Sequence, residues 1–313
     1  VASIYTNGQR FETLKTIGAD GRPVVGAPAM IDGAVQGADR LRVLALRALQ
    51  ECAAGLREPP LPVLVCAPPL EGFARDARLL DRLLDGTGLA VDRPASRVLA
   101  PGRGTTNDAL ALAGSLLLSE VWPACLLVAV DSLIAPPRLS REVAAGRVAG
   151  AQNPTGFVPG EAGAALLLSL RPEIGCAAII AGGGHCAGGE TPSAVLSLAA
   201  VDALADAHVP ARALGAICHD GPGDWAQLEE LALADGRPPL SLAAHAPRFI
   251  PAVTTGEVGA AAGVLSIATL AYLLMSGVLQ RPALAMFSSD GPARGTAVLV
   301  PAGSRLFRAG SDG

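Results

Sequence analysis

Gly156-Phe157-Val158-Pro159-Gly160-Glu161-Ala162-Gly163-Ala164-Ala165-Leu166-Leu167-Leu168 reads as a glycine-punctuated loop running into an apolar strand. In the second half of the chain, Thr255-Gly256-Glu257-Val258-Gly259-Ala260-Ala261-Ala262-Gly263 reads as a turn opening a long helix of small residues, Gly256 to Gly277. Val258 to Leu279 carries no charge and is long enough to span a bilayer. Its Gly, Ala, Ser and Thr content, and the lack of a close basic cluster, make it a buried core helix instead.

Around these two stretches, strands and helices alternate. Leu61 to Cys66, Ser96 to Ala100 and Cys125 to Asp131 read as strands, the last apolar enough to be buried on both faces. Ala38 to Cys52 has Leu41, Leu44, Ala45, Ala48 and Cys52 at helical spacing; Arg75 to Leu84 and Asn107 to Glu120 are further helices. Ala164 to Leu170 is a strand. The second half repeats the pattern with strands at Ala177 to Gly182, Arg212 to Cys218, Ala283 to Phe287 and Thr296 to Val300. Its helices fall at Ser193 to Ala207 and Asp224 to Ala234, the latter with an Asp at its dipole-favoured start. Alternation of this kind implies helices covering mostly parallel sheets, and two similar halves meeting near Arg171-Pro172-Glu173 imply a duplication.

Length and composition fit that plan. The chain has 313 residues, half of them hydrophobic, 17% charged and only 3% aromatic. It can bury a large core of small side chains. A net charge of −4 with no basic run argues against nucleic acid. Cys52, Cys66, Cys125, Cys176, Cys186 and Cys218 form no C-x-x-C pairs, so neither a zinc nor a disulfide framework is expected, and the chemistry suits a reducing cytoplasm. His185-Cys186 has no second ligand pair, and Gly182-Gly183-Gly184 lacks both a phosphate-loop lysine and Rossmann spacing. No cofactor or metal is expected. The start, Val1-Ala2-Ser3-Ile4-Tyr5, lacks a basic region followed by an apolar one, so no signal peptide is read there.

The two quoted stretches resemble the landmark motifs of the β-ketoacyl synthases, within the thiolase superfamily. The family pattern for the first, roughly GF-V-x-G-E-G-A-G-x-L-V-L, is matched almost letter for letter. The second, G-H-T-x-G-A-A-G, keeps its glycines and alanines but has Glu257 in place of a catalytic histidine. The resemblance implies the thiolase-like duplicated five-layer αβαβα fold, with halves at residues 1–172 and 173–313. It also implies an opening strand ahead of a segment like Ala2 to Thr13, which points to residues preceding Val1.

Ketosynthases need an acylated cysteine at a helix N-terminus, two histidines (or one histidine and an asparagine) donating to a thioester carbonyl, and two backbone N–H donors for the oxyanion. Family spacing puts the nucleophile position at Thr105, or at Thr106 if it slips by one, where Thr105, Thr106 and Asn107 can equally be read as helix caps. The first histidine position falls in a shortened loop, Cys218-His219-Asp220-Gly221-Pro222-Gly223-Asp224, where His219 either matches it or is a loop histidine with no chemical task. The second is Glu257, an acceptor when ionised, which also suits the N-terminus of the helix it precedes. The family lysine is missing, since Lys15 is the only lysine. The C-terminal G-F-G-G turn is replaced by Ser288-Ser289-Asp290-Gly291-Pro292-Ala293-Arg294-Gly295.

These departures describe a ketosynthase-like pseudoenzyme, non-condensing, with an accessory or binding role. The motif wording resembles thiolase-like proteins encoded with type VI secretion effectors, which implies an effector or adaptor protein as partner. The alternatives are a chain-length-factor-like subunit of a ketosynthase heterodimer, or an active 3-oxoacyl-carrier-protein synthase or acyltransferase using Thr105 or Cys218, with acyl-carrier protein or acyl-CoA as its partner. Assembly is expected as a two-fold homodimer or a ketosynthase-type heterodimer through Cys125 to Asp131, taken as an edge strand. No membrane association is expected.

Overall fold

The computed structural model describes residues 11–53, 59–68, 77–99, 103–171, 177–185, 190–221, 224–291 and 293–301. The half boundary at residues 172–173, Cys176, Cys186, most of the opening segment, and the turn residues Pro101, Gly102, Pro222 and Gly223 lie outside the described residues.

Two sheets organise the chain. The first has the order β4-β3-β5-β6, from Arg97–Leu99 (β4), Val63–Cys66 (β3), Cys125–Ser132 (β5) and Glu161–Leu168 (β6). β3, β4 and β5 run parallel, and β6 runs antiparallel to β5. The second has the order β7-β11-β10-β8-β9, from Ala177–His185 (β7), Ala293–Pro301 (β11), Ala283–Phe287 (β10), Ala216–His219 (β8) and Arg248–Phe249 (β9). Here β8, β9 and β10 are parallel and β11 is antiparallel to β10. Taken in chain order, the four strands β3–β6 and the four strands β8–β11 are therefore arranged identically, which is the signature of a duplication. A separate hairpin, β1 (Glu12–Ile17) with β2 (Pro23–Gly26), lies at the start.

The layers follow from side-chain alternation along each strand. Leu64, Cys66, Cys125, Leu127 and Ala129 of the first sheet, and Ala216, Cys218, Ala283, Ala285 and Phe287 of the second, enclose two central helices, α3 (Thr105–Leu118) and α8 (Ala262–Met275). The opposite face of the first sheet, with Val63, Val65, Leu126, Val128 and Val130, packs under α1 (Gly37–Cys52) and α2 (Ala77–Leu84). That of the second, with Ile217, Leu284, Met286, Val298 and Val300, packs under α5 (Pro192–Asp206) and α6 (Trp225–Asp235). The result is five layers, αβαβα. Each leucine or valine so buried contributes about 1.5–3 kcal/mol, which is why a strand such as β5 can be apolar on both faces. Two shorter helices, α4 (Pro136–Ala144) and α7 (Ala252–Thr255), lie in the connections.

Three expectations need correction. Cys125–Ser132 is not an edge strand: β3 and β6 flank it, so it offers no free edge for dimerisation. The helix expected from Gly256 to Gly277 begins only at Ala262, after a 3₁₀ turn at Gly259–Ala261, because Gly256 (φ 66°) and Gly259 (φ 53°) are left-handed and cannot propagate an α-helix. Its last turn emerges, with Tyr272 and Met275 exposed, so it is buried along most of its length and not throughout. Among the described residues no helix is long and apolar enough to cross a membrane.

Candidate functional site

The two landmark stretches lie against each other. Glu257 N–H donates to the Val158 carbonyl at 2.7 Å, and Gly160 N–H donates to the Glu257 carbonyl at 2.7 Å. A β-carbon on Gly160 would stand 2.0 Å from the Thr255 carbonyl oxygen, so only glycine permits this approach. The motif glycines therefore hold the loop before β6 against the turn before α8, and they carry Glu257 into the interior.

α3 starts at Thr105. Its N-cap is Gly104 at φ 93°, with no side-chain cap bond, so Thr105, Thr106 and Asn107 are not caps. Thr105 is buried, and its side chain hydrogen-bonds the Cys66 thiol at the end of β3. Thr106 is packed against α8: a β-carbon on Gly263 would lie 2.4 Å from its Oγ1.

The residue ahead of this turn, Arg103, gathers the rest of the site. Its side chain is 3% exposed. Nη1 donates to Gln227 Oε1 at 2.8 Å, and Nη2 donates to the Asp220 carbonyl. Nη2 also lies 3.6 Å from Asp220 Oδ1, and Nε lies 3.6 Å from Glu257 Oε1. Asp220 is fixed in turn by Ser288 N–H, which donates to Oδ1 at 2.8 Å. Glu257 Oε1 accepts from Gly259 N–H at 2.6 Å, while Oε2 finds no partner among the described residues. Glu257 therefore caps the 3₁₀ turn and not the N-terminus of α8 itself.

Burial sets the protonation of this cluster. It pushes the Glu257 carboxyl up to about 7 and that of Asp220 up to about 6, against the pull of Arg103 on both. Burial alone would drive Arg103 towards its neutral form, but Glu257 and Asp220 outweigh that and hold it charged. Nearby, Asp131 accepts from Ser132 N–H at 2.7 Å and Ala260 N–H at 2.9 Å, with Arg138 at 3.3 Å. Burial raises its pKa as well.

His219 makes no hydrogen bond to Glu257 among the described residues. Along β8, Ala216 and Cys218 face the central helices and Ile217 faces the outer layer, so alternation places His219 on the outer side. Its Nδ1 accepts from Gly221 N–H at 2.9 Å, and its Nε2 has no partner among the described residues. Burial, then the charges of Arg103 and Arg294, lowers its pKa to about 3, so the ring is neutral. With Nδ1 accepting, Nε2 carries the proton. The side chain of the β8–α6 loop that meets Glu257's partner is Asp220, one residue on. Arg103 and Asp220 were missed as site residues; the available signal was that each is a charged residue set beside glycines next to a candidate position.

Glu161 accepts from Arg40 Nε at 2.6 Å and Nη2 at 2.5 Å, from Ser132 Oγ at 2.8 Å and from Ala29 N–H at 2.8 Å. It is a structural anchor between β6 and α1.

A void beside Asp220, Glu257 and Ser266 measures about 10 Å³, near the lower limit of roughly 10–15 Å³ for a single water. The described cysteines of the core are protonated thiols: burial raises Cys66 to about 11 and Cys125 and Cys218 to about 12. Among the described residues no group of three or more His, Cys, Asp or Glu could hold a metal.

No family model matches the sequence, and no curated protein matches it. Solved structures do. The ishigamide ketosynthase/chain length factor is 18% identical with a TM-score of 0.70, covering 96% of this chain and 94% of that one. The ketosynthase from module 6 of the bacillaene synthase from Bacillus subtilis 168 is 11% identical with a TM-score of 0.72, covering 95% and 68%. 3-Oxoacyl-(acyl carrier protein) synthase III, FabH, from Pseudomonas aeruginosa PAO1 is 18% identical with a TM-score of 0.56, covering 83% of each chain. At these identities the likeness is one of fold: the chain has the thiolase-like ketosynthase fold.

Proposed function

We propose that this is a ketosynthase-like protein that does not condense acyl chains and acts by binding, as a chain-length-factor-like subunit beside an intact ketosynthase. One observation carries the reading: the buried Arg103–Glu257–Asp220 network next to the start of α3. Condensation requires a thiolate to hold the acyl group and donors for the carbonyl oxygen on which charge develops. Thr105 is a hydroxyl whose neighbour, Cys66, is a protonated thiol. Glu257 in its charged form, which grows as pH rises through about 7, only accepts and repels an oxyanion. Of the two binding roles the sequence implies, a secretion-associated accessory and a chain-length-factor-like subunit, the likeness to the ketosynthase/chain length factor structures favours the second.

Incubated alone with acyl- and malonyl-carrier protein, the chain is expected to release neither carbon dioxide nor a 3-oxoacyl product. Co-expressed with the intact ketosynthases of its own genome, it is expected to purify as a one-to-one pair with one of them. A 3-oxoacyl product from the chain alone would overturn the non-condensing reading. A homo-oligomer that persists beside every such ketosynthase would overturn the pairing.

A further inference from the structure

Arg103 is held unlike an ordinary buried ion pair. Its contacts come from three separate places: the carbonyl and carboxylate of Asp220 after β8, the side-chain oxygen of Gln227 in α6, and the carboxylate of Glu257 before α8. All are oxygens that accept. The segment carrying Arg103 reaches them only because Gly104 takes a left-handed turn pressed against Ser289, where a β-carbon would stand 2.6 Å from the Ser289 β-carbon. Among the described residues one donor and one acceptor of this cluster remain open: Nε makes no hydrogen bond, and Glu257 Oε2 is buried without a partner. The surroundings are thus a preformed set of oxygens that holds two of the three guanidinium nitrogens.

We propose that Arg103 is an internal ligand: its guanidinium fills a built site of oxygens that selects a small planar cation, and the site binds free guanidinium once that side chain is removed. A planar fork of N–H donors matches acceptors arriving from several directions, which an ammonium, presenting one compact centre, does not. With Glu257 and Asp220 ionised, the same lining repels carboxylates and enolates. The inference stands apart from the proposed function, because it concerns what the cluster binds and not whether the chain condenses.

The test is rescue of R103A by guanidinium. Removal of the cation leaves two carboxylates buried without their counter-charge, so the melting temperature of R103A is expected to fall by several degrees. It should return saturably as guanidinium chloride is raised through the low millimolar range. Sodium chloride and urea at the same concentrations should not restore it, and wild type should not respond. If R103A alone does not fold, R103A/E257Q removes one of the two stranded carboxylates, and the same saturable recovery is expected at higher guanidinium. R103A as stable as wild type, no recovery in whichever variant folds, or recovery equal to that given by sodium chloride would overturn the proposal.

Discussion

Replacing Glu257 with glutamine should change how stability depends on pH more than it changes stability itself. In the unfolded chain this carboxyl ionises from its ordinary value of 4.5, whereas burial in the fold pushes it up to about 7. Between those values the folded state binds the extra proton, so stability is fully present below about 4.5 and declines as pH rises towards 7. The interval, at about 1.4 kcal/mol per pH unit, amounts to about 3 kcal/mol. Glutamine cannot ionise, keeps an acceptor for Gly259 N–H, and replaces the unpartnered Oε2 with an amide group. E257Q should therefore match wild type within about 1 kcal/mol at pH 5 and exceed it by about 3 kcal/mol at pH 8. The assay is urea unfolding of both proteins across pH 5 to 8. Asp220, raised to about 6, and His219, lowered to about 3, titrate in both proteins and largely cancel in the difference. Parallel stability curves, or E257Q the weaker protein at pH 8, would refute the reasoning.

Two further substitutions test the scaffold around the site. Gly160→Ala puts a β-carbon 2.0 Å from the Thr255 carbonyl oxygen, so the loop and the turn carrying Glu257 must separate; a loss above about 2 kcal/mol is expected on denaturant unfolding. Arg40→Ala strands the buried Glu161 carboxylate between α1 and β6 and should cost about 3–5 kcal/mol, read as a lowered unfolding midpoint.

The fold was legible because its strands are written as unbroken apolar runs and its turns as glycines. The Leu-Leu-Val-Ala-Val run of β5 could only be a strand covered on both sides, and Asp224 marked the start of α6, where its side chain does accept from Gln227 N–H at 2.9 Å. The position of that strand within the sheet was not legible, since an apolar run says that a strand is covered but not whether helices or further strands cover its flanks. The helix before Gly277 was placed too early for a related reason: Gly256 and Gly259 looked like small residues in a helix, and only their left-handed backbone shows a turn. Within the candidate site, Glu257 and Thr105 were named from motif position. Arg103 could not be found that way, because its role depends on Asp220, Gln227 and Glu257, which the sheet order and not the sequence spacing brings to it. Parity sets His219 on the outer side of β8, one residue of a period-two strand deciding which layer a side chain enters.

The most direct test of the account is intact-mass measurement after incubation with acyl-CoA and with acyl-carrier protein. Covalent capture needs an activated nucleophile, and loss of a single oxyanion donor typically costs a further hundredfold to a thousandfold or so in rate. The account predicts an unchanged mass. An acyl adduct on Thr105, Thr106 or Cys218 that turns over when a malonyl donor is added would contradict it and restore a catalytic site.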